Sequence, residues 1–328
     1  RQLDDSLRRL AADMQSPLPP PLVSDRRKCA LCGWRSLCDA QAAREGHLSE
    51  VSGIGGKRRE LLLSLGITTL SDLATADPVW LADGLGCHGE QHREVADAIV
   101  SQARVQLSGV PQRRSPGPAL GELSGAPGVL VYDIESDPDL RDDFLHGLVA
   151  IARQTDGTWP LASPQQAHYH PILALMEHGE VQLWRRLQRL LRSYPEWPVL
   201  HYGETEAIAL LRLAERQGAS RRDRDRLRER LVDVHQRLRD HWILPVKGYG
   251  LKVVAGWLGF RWTQRGVDGA RCLLWWRRWN QWRKEPSSVQ RAPGRKAQAH
   301  QLRRIFQYNR DDALATWVLA RWLLDNDY

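Results

Sequence analysis

The apolar positions of this chain fall into two patterns, short unbroken runs and longer helical stripes, and their order along the chain predicts the layout. Gly128 to Ile134 (GVLVYDI) is a β-branched apolar run bounded by glycine and acidic residues, as a buried strand requires. Gly147 to Arg153 (GLVAIAR) reads as its paired strand and Pro198 to Tyr202 as a third. Helical stripes cover Leu3 to Met14, Pro171 to Ser193, Glu204 to Gln217, Arg221 to Trp242, Tyr249 to Leu258, Cys272 to Lys284 and Gln298 to Leu324. Strands followed by alternating helix and strand predict an α/β layered domain over residues 128–328.

Upstream, Leu48 to Leu107 is helical throughout with short Gly-x-Gly punctuation, which predicts an all-α unit over residues 46–108. The Gly-, Pro- and Ser-rich stretch between them, residues 109–127, has no periodicity and reads as a linker. A proline break, Pro17 to Pro21, sets a first amphipathic helix apart from a cysteine-bearing segment; together they make up residues 1–45. The chain starts at Arg1 without an initiator methionine, and is expected to be a piece of a longer protein.

At 328 residues there is room for two domains and an enzyme-sized core. The net charge of +8 comes mostly from arginine, whose planar fork suits phosphate, so polyanionic partners are favoured, although a basic balance by itself also describes a solvated surface. No apolar run is long enough for a membrane span and no signal peptide opens the chain, so a soluble, cytoplasmic protein is expected. In that setting the five cysteines read as thiols or metal ligands and not as disulfides.

The sharpest chemistry lies at the end of the first strand. Asp133 and Glu135 are two residues apart, so on a strand both carboxylates point to one face and can reach the same ions. In the last long helix Tyr308 and Asp312 are four apart and share a helix face. Taken singly, each pair is an ordinary solvated turn or helix surface; their order and the strand-helix segment between them carry the weight.

Asp-x-Glu on a first strand with a late Tyr-x-x-x-Asp helix resembles the DnaQ-like 3′–5′ exonucleases of the tyrosine subclass, of ribonuclease-H-like fold. The segment Val199 to Glu206 (VLHYGETE), a strand running into a helix, occupies the place of that family's middle motif. Glu206 is its candidate acidic ligand, with Glu204 as the alternative; most of the superfamily has Asp there. The closer resemblance is to the YprB-like ribonuclease-H-like domain at the C-terminus of RecB-like putative nucleases. It is supported by Val232-Asp233-Val234, by Gly248-Tyr249-Gly250-Leu251-Lys252 and by the Tyr-Asn-x-x-Asp ending. The resemblance implies that Asp133, Glu135, Glu206 and Asp312 hold two divalent ions, Mg²⁺ or Mn²⁺, about 3.5–4 Å apart, with Tyr308 orienting the attacking water. Asp233 is placed behind the ligands.

Val51 to Gly55 (VSGIG), followed by Lys57, Arg58 and Arg59, resembles a helix-hairpin-helix motif, in which glycines permit a tight turn beside a phosphate. Gly53, Gly55, Lys57 and Arg58 are therefore candidate contacts to DNA or RNA. Asp83-Gly84-Leu85-Gly86, leading to a helix from Glu90 to Ala103, reads as a second copy and adds Gly84 and Gly86. The plainer alternative is a helical packing module whose glycines cap helices. Cys29, Cys32 and Cys38 resemble the closing triplet of the iron–sulfur staple of RecB-family nucleases, which implies a [4Fe-4S] cluster completed in a longer chain carrying an upstream RecB-like nuclease region. Zinc on the three cysteines plus His47, or no metal at all, are the alternatives.

Weaker features have bland readings. Trp275, Trp279 and Trp282 share a helical face, suited to core packing before stacking on single-stranded bases. Arg221 to Arg230 reads as a solvated, self-paired face, His201 and His235 as hydrogen-bonded structural residues, and Cys87 and Cys272 as small core residues.

Overall fold

The computed structural model describes residues 2–17, 22–23, 29, 32–161, 168–175, 177–285 and 295–327. They form two compact units, one of Arg1–Gln112 with Ile243–Gly248 and one of Arg113–Trp242 with Tyr249–Tyr328. The stretch expected as a linker is therefore divided: Ala119, Leu120 and Leu123 are buried and belong to the second unit.

The first unit is helical: α1 (Gln2–Gln15), α2 (Arg35–Glu45), α3 (Gly56–Ser64), α4 (Leu70–Thr75), α5 (Pro78–Gly86), α6 (Glu90–Arg93) and α7 (Ala96–Ser108). Its core joins Leu48, Val51, Leu62, Leu73, Leu81, Leu85, Ile99 and Val100. Local signals start the helices. Thr69 and Asp72 form a reciprocal capping box on α4, and Asp77 caps α5 with Pro78 just inside it. Val51–Gly55 forms a turn into α3, in which Gly53 holds φ 87° and Gly55 is the N-cap. The segment expected as a second hairpin has no turn at its two glycines. Gly84 and Gly86 lie inside α5, where a Cβ would meet Leu65 at 3.0 Å and Arg93 at 2.6 Å; they serve close packing. The turn falls instead at Cys87–Gly89, and the helix expected from Glu90 to Ala103 is interrupted after Arg93. Cys87, read as a core residue, is exposed.

The second unit is built on a five-stranded sheet of β1 (Gly128–Asp137), β2 (Asp142–Ala152), β3 (His168–Leu173), β4 (Val199–His201) and β5 (Leu231–Asp233), in the order β3-β2-β1-β4-β5. β1 pairs antiparallel with β2 and β2 with β3, while β4 runs parallel to β1 and β5 parallel to β4. Two strands lie where helix was expected: β3 overlaps the start of the stripe from Pro171, and β5 interrupts the stripe from Arg221 to Trp242. The helices are α8 (Gly179–Ser193), α9 (Glu204–Arg216), α10 (Arg221–Arg230), α11 (Val234–His241), α12 (Leu251–Trp257), α13 (Gly269–Lys284) and α14 (Arg295–Asp325). Among the described residues no helix is long and apolar enough to cross a membrane.

Both faces of the sheet are covered. Leu130 and Tyr132 of β1 pack with Leu183 and Leu187 of α8 and Leu210 of α9, while the alternate residues face α14. A second cluster gathers Phe144 and Leu145 of β2 with Trp275, Trp276 and Trp279 of α13 and Ile305 and Tyr308 of α14. The tryptophan stripe is core, as its spacing suggested. Trp276 stacks on Phe144 with centroids 4.5 Å apart, so Trp276→Ala is expected to lower stability by about 3–5 kcal/mol. A denaturant titration checks this, the midpoint falling with little change in slope.

Candidate metal centre

Strand parity and one long helix bring the acids together. Asp133 and Glu135 leave the same face of β1, and Asp312 approaches from α14; oxygens of the three lie within 4.8 Å of one another. Such an approach needs α14 to lie close to the sheet. Gly147 of β2 sits opposite Asp133 in the register, and a Cβ there would fall 1.6 Å from Oδ1 of Asn309. The missing side chain thus makes room for Asn309, whose Nδ2 donates to Asp133 at 2.6 Å and whose Oδ1 accepts from the Tyr169 hydroxyl at 2.8 Å.

The other two acids also have close polar neighbours. Trp262 Nε1 donates to Asp312 at 2.5 Å, and Tyr308, one turn earlier on α14, lies close enough to the same carboxylate to hold its pKa down. The buried Cys272 thiol lies beside Glu135 and draws its pKa down. Next to Asp312, buried Asp311 accepts from the Thr263 amide at 2.8 Å and its hydroxyl at 2.6 Å, anchoring the segment that carries Trp262. Further along β1, Asp137 is buried and held by Arg277 of α13 at 2.6 and 2.8 Å. Trp262, Cys272, Tyr169 and Arg277 were missed as site residues, since nothing in their spacing links them to Asp133; Asn309 was noted only as part of the Tyr-Asn-x-x-Asp ending, and Asp137, two residues beyond Glu135 on the same strand, was passed over although strand alternation could have found it.

Glu206 stands at the start of α9, which Gly203 opens at φ 99°. It lies outside the close group of three but within electrostatic reach of Asp133 and Asp312. The alternative, Glu204, is exposed and lines a separate cleft of about 670 Å³ with His201, Asp233 and His235. Asp233 accepts from the Gly203 amide at 3.0 Å and from the amides of His235 and Gln236, so it ties the end of β5 to the loop that carries Glu206. His201 Nδ1 sits 2.6 Å from the Gly203 carbonyl, and the His235 ring packs against Tyr202.

Burial first, and then mutual repulsion, pushes these carboxylates above their ordinary range. Glu135 is raised to about 8, chiefly by desolvation and then by Asp312, and Glu206 to about 7 by desolvation with Asp233 and Asp312 adding. Asp312 reaches about 6, desolvation outweighing Trp262, Lys252 and Tyr308, and Asp133 is raised by desolvation, Asp312, Glu135 and Glu206. Oε1 of Glu135 and Oε2 of Glu206 are buried without a hydrogen-bond partner. Partnerless buried carboxylate oxygens in a crowd of like charge are what a hard divalent cation neutralises, and an all-oxygen set suits Mg²⁺ or Mn²⁺. The residues present fit such an ion.

A pH dependence follows. Each carboxylate holds its proton more tightly folded than unfolded, so stability falls as pH rises from about 4.5 through the raised values, and the loss is complete above about 8. In chelator the melting temperature is expected to fall between pH 5.5 and 8, and Mn²⁺ is expected to raise it more at pH 8 than at pH 5.5. Thermal melts with and without chelator check this, and a metal effect that does not grow with pH contradicts it.

In the first unit, Lys57 is exposed, whereas the Arg58 guanidinium donates to the Gly53 carbonyl and so braces the hairpin turn. Lys57, Arg58 and His88 are close enough to His92 to depress its pKa, after desolvation. Arg59 donates to the Val23 carbonyl at 2.8 Å. Among the described residues Cys29, Cys32 and Cys38 do not converge as the carboxylates do; Cys32 is exposed and the other two are partly buried.

A family model described as the RNase_H superfamily matches residues 130–324, more than half of the chain. Comparison with curated proteins and with solved structures gave no match.

Proposed function

Since this chain belongs to the RNase H superfamily, we propose that its second unit is a nuclease that hydrolyses phosphodiester bonds in DNA or RNA, acting as a 3′–5′ exonuclease with Mg²⁺ or Mn²⁺. The observation that carries this reading is the convergence of Asp133, Glu135 and Asp312 within 4.8 Å. Glu206 completes the donor set from the head of α9. Bound divalent ions would supply an acidified water and charge neutralisation at the phosphate. In the hydrolysis a water oxygen bonds to phosphorus, the bond from phosphorus to the leaving oxygen breaks, and a proton from the water ends on that oxygen.

The protein's own part is to hold acceptors in place. Asn309 and Trp262 each fix one carboxylate, which lowers the reorganisation needed when cations and substrate arrive. Tyr308, one turn from Asp312 on the same helix face, is read as orienting the attacking water. The first hairpin, with Lys57 exposed beside the Gly53 turn, is read as a sequence-independent phosphate grip. The reading of an iron–sulfur cluster rests on the spacing of Cys29, Cys32 and Cys38, and that of an upstream RecB-like nuclease region on the same triplet together with the YprB-like resemblance of residues 128–324.

The test is incubation of the chain with end-labelled single- and double-stranded DNA and RNA, with Mn²⁺ or with chelator. Stepwise shortening from the 3′ end that chelator abolishes is expected. If no substrate is degraded at any metal concentration, the nuclease reading fails, and a nucleic-acid-binding adaptor on the same scaffold takes its place.

A further inference from the structure

Lys252 stands in the first turn of α12 with its side chain exposed. Its ammonium lies 4.8 Å from the centre of the Tyr308 ring and donates to the neutral Val267 carbonyl at 2.7 Å, a bond that orients the charge without cancelling it. Tyr308 in turn stands one helical turn before Asp312 on the same face of α14. The same ammonium draws down both Glu135 and Asp312 against the push of burial, so it is within electrostatic reach of two of the three converging acids. Neighbouring arginines are committed elsewhere: Arg277 to Asp137 and Asp139, and Arg310 to Asp311 at 3.0 Å.

A cation in this place has a cost, because it repels any divalent ion bound by the carboxylates. The cost is offset if the ammonium meets a group that the acids themselves repel. A phosphodiester has that chemistry, since four carboxylates and two divalent ions together are neutral and the phosphate gains negative charge during displacement. We propose that Lys252 is a catalytic residue whose ammonium contacts a non-bridging oxygen of the scissile phosphate. This rests on the nuclease reading. The contact is electrostatic, and bond making and breaking stay with water, phosphorus and the leaving oxygen.

Lys252→Met and Lys252→Arg test it through hydrolysis, Mn²⁺ affinity by calorimetry and thermal melting. In Lys252→Met, kcat is expected to fall about 100-fold or more with a smaller change in KM. Mn²⁺ affinity is expected to tighten about threefold to tenfold, with the melting temperature held, and Lys252→Arg to recover part of the rate. Hydrolysis within threefold of wild type overturns the proposal, as does a loss of rate accompanied by weaker Mn²⁺ binding, the mark of a structural role. If the wild type degrades nothing, the nuclease reading has failed, and Lys252 is judged by thymidine 5′-monophosphate binding in the presence of Mn²⁺. About tenfold weaker binding to Lys252→Met supports the phosphate contact; equal affinity, or no binding by the wild type, overturns it.

Discussion

Replacing Asp312 with asparagine is expected to lower phosphodiester hydrolysis by about a thousandfold or more, a loss of at least about 4 kcal/mol of transition-state stabilisation, while the melting temperature of the chelated protein rises. The two readouts move in opposite directions for one reason. Asp312 is nearly buried and shares its surroundings with Asp133, Glu135 and Glu206, so without cations its charge raises the free energy of the fold. Asparagine keeps the shape and an oxygen to accept from Trp262 Nε1, and removes the repulsion. It also removes one of the converging anionic ligands. Glu206→Gln, outside the close group, is expected to cost less, about 10- to 100-fold, and exposed Glu204→Gln to leave the rate within about twofold. Rate and melting temperature falling together in Asp312→Asn, or a rate within tenfold of wild type, would overturn the assignment of Asp312.

The second large effect belongs to a residue with no functional group. Gly147→Ala is expected to lower stability by about 3 kcal/mol or more, near the upper end for overpacking a core, and to depress hydrolysis with it. Backbone strain is not the cause, because Gly147 lies in regular antiparallel pairing opposite Asp133. The added methyl would stand 1.6 Å from Asn309 Oδ1, 2.8 Å from its Cγ and 3.0 Å from Tyr169 Cε2. Asn309 is fully buried and bonded to both Asp133 and Tyr169, so it cannot step aside without breaking both bonds. Urea unfolding of Gly147→Ala, Asn309→Ala and the double variant checks the mechanism: shortening Asn309 should recover part of the stability lost to the methyl, a non-additive cycle. A Gly147→Ala variant within about 1 kcal/mol of wild type, or strict additivity, would show that α14 accommodates the methyl by shifting.

The parts of the site legible in the sequence are those that depend on local geometry. Asp133 and Glu135 share a face because strand side chains alternate, and Tyr308 and Asp312 share one because four residues make about one helical turn. The strands that escaped notice have no local signature. β3 reads His168-Tyr169-His170-Pro171-Ile172-Leu173 and tolerates its proline at the edge of the sheet. β5 is three residues between two highly charged helices, too short for any period to show, and is a strand because β4 offers it a partner. The same limit explains the second hairpin, where Gly84 and Gly86 serve packing against Leu65 and Arg93 and not a turn.

By itself the sequence determined which carboxylates could share a face of one strand or one helix, and that the domain holding them is layered α/β, because strand and helix periods are properties of a few neighbouring residues. Only the tertiary structure decided that Asp312 meets the β1 acids, that Asn309, Trp262, Cys272 and Lys252 surround them, and that burial raises their pKa values. Those outcomes depend on how closely α14 can approach β2 at Gly147, a distance set by packing between segments far apart in the chain.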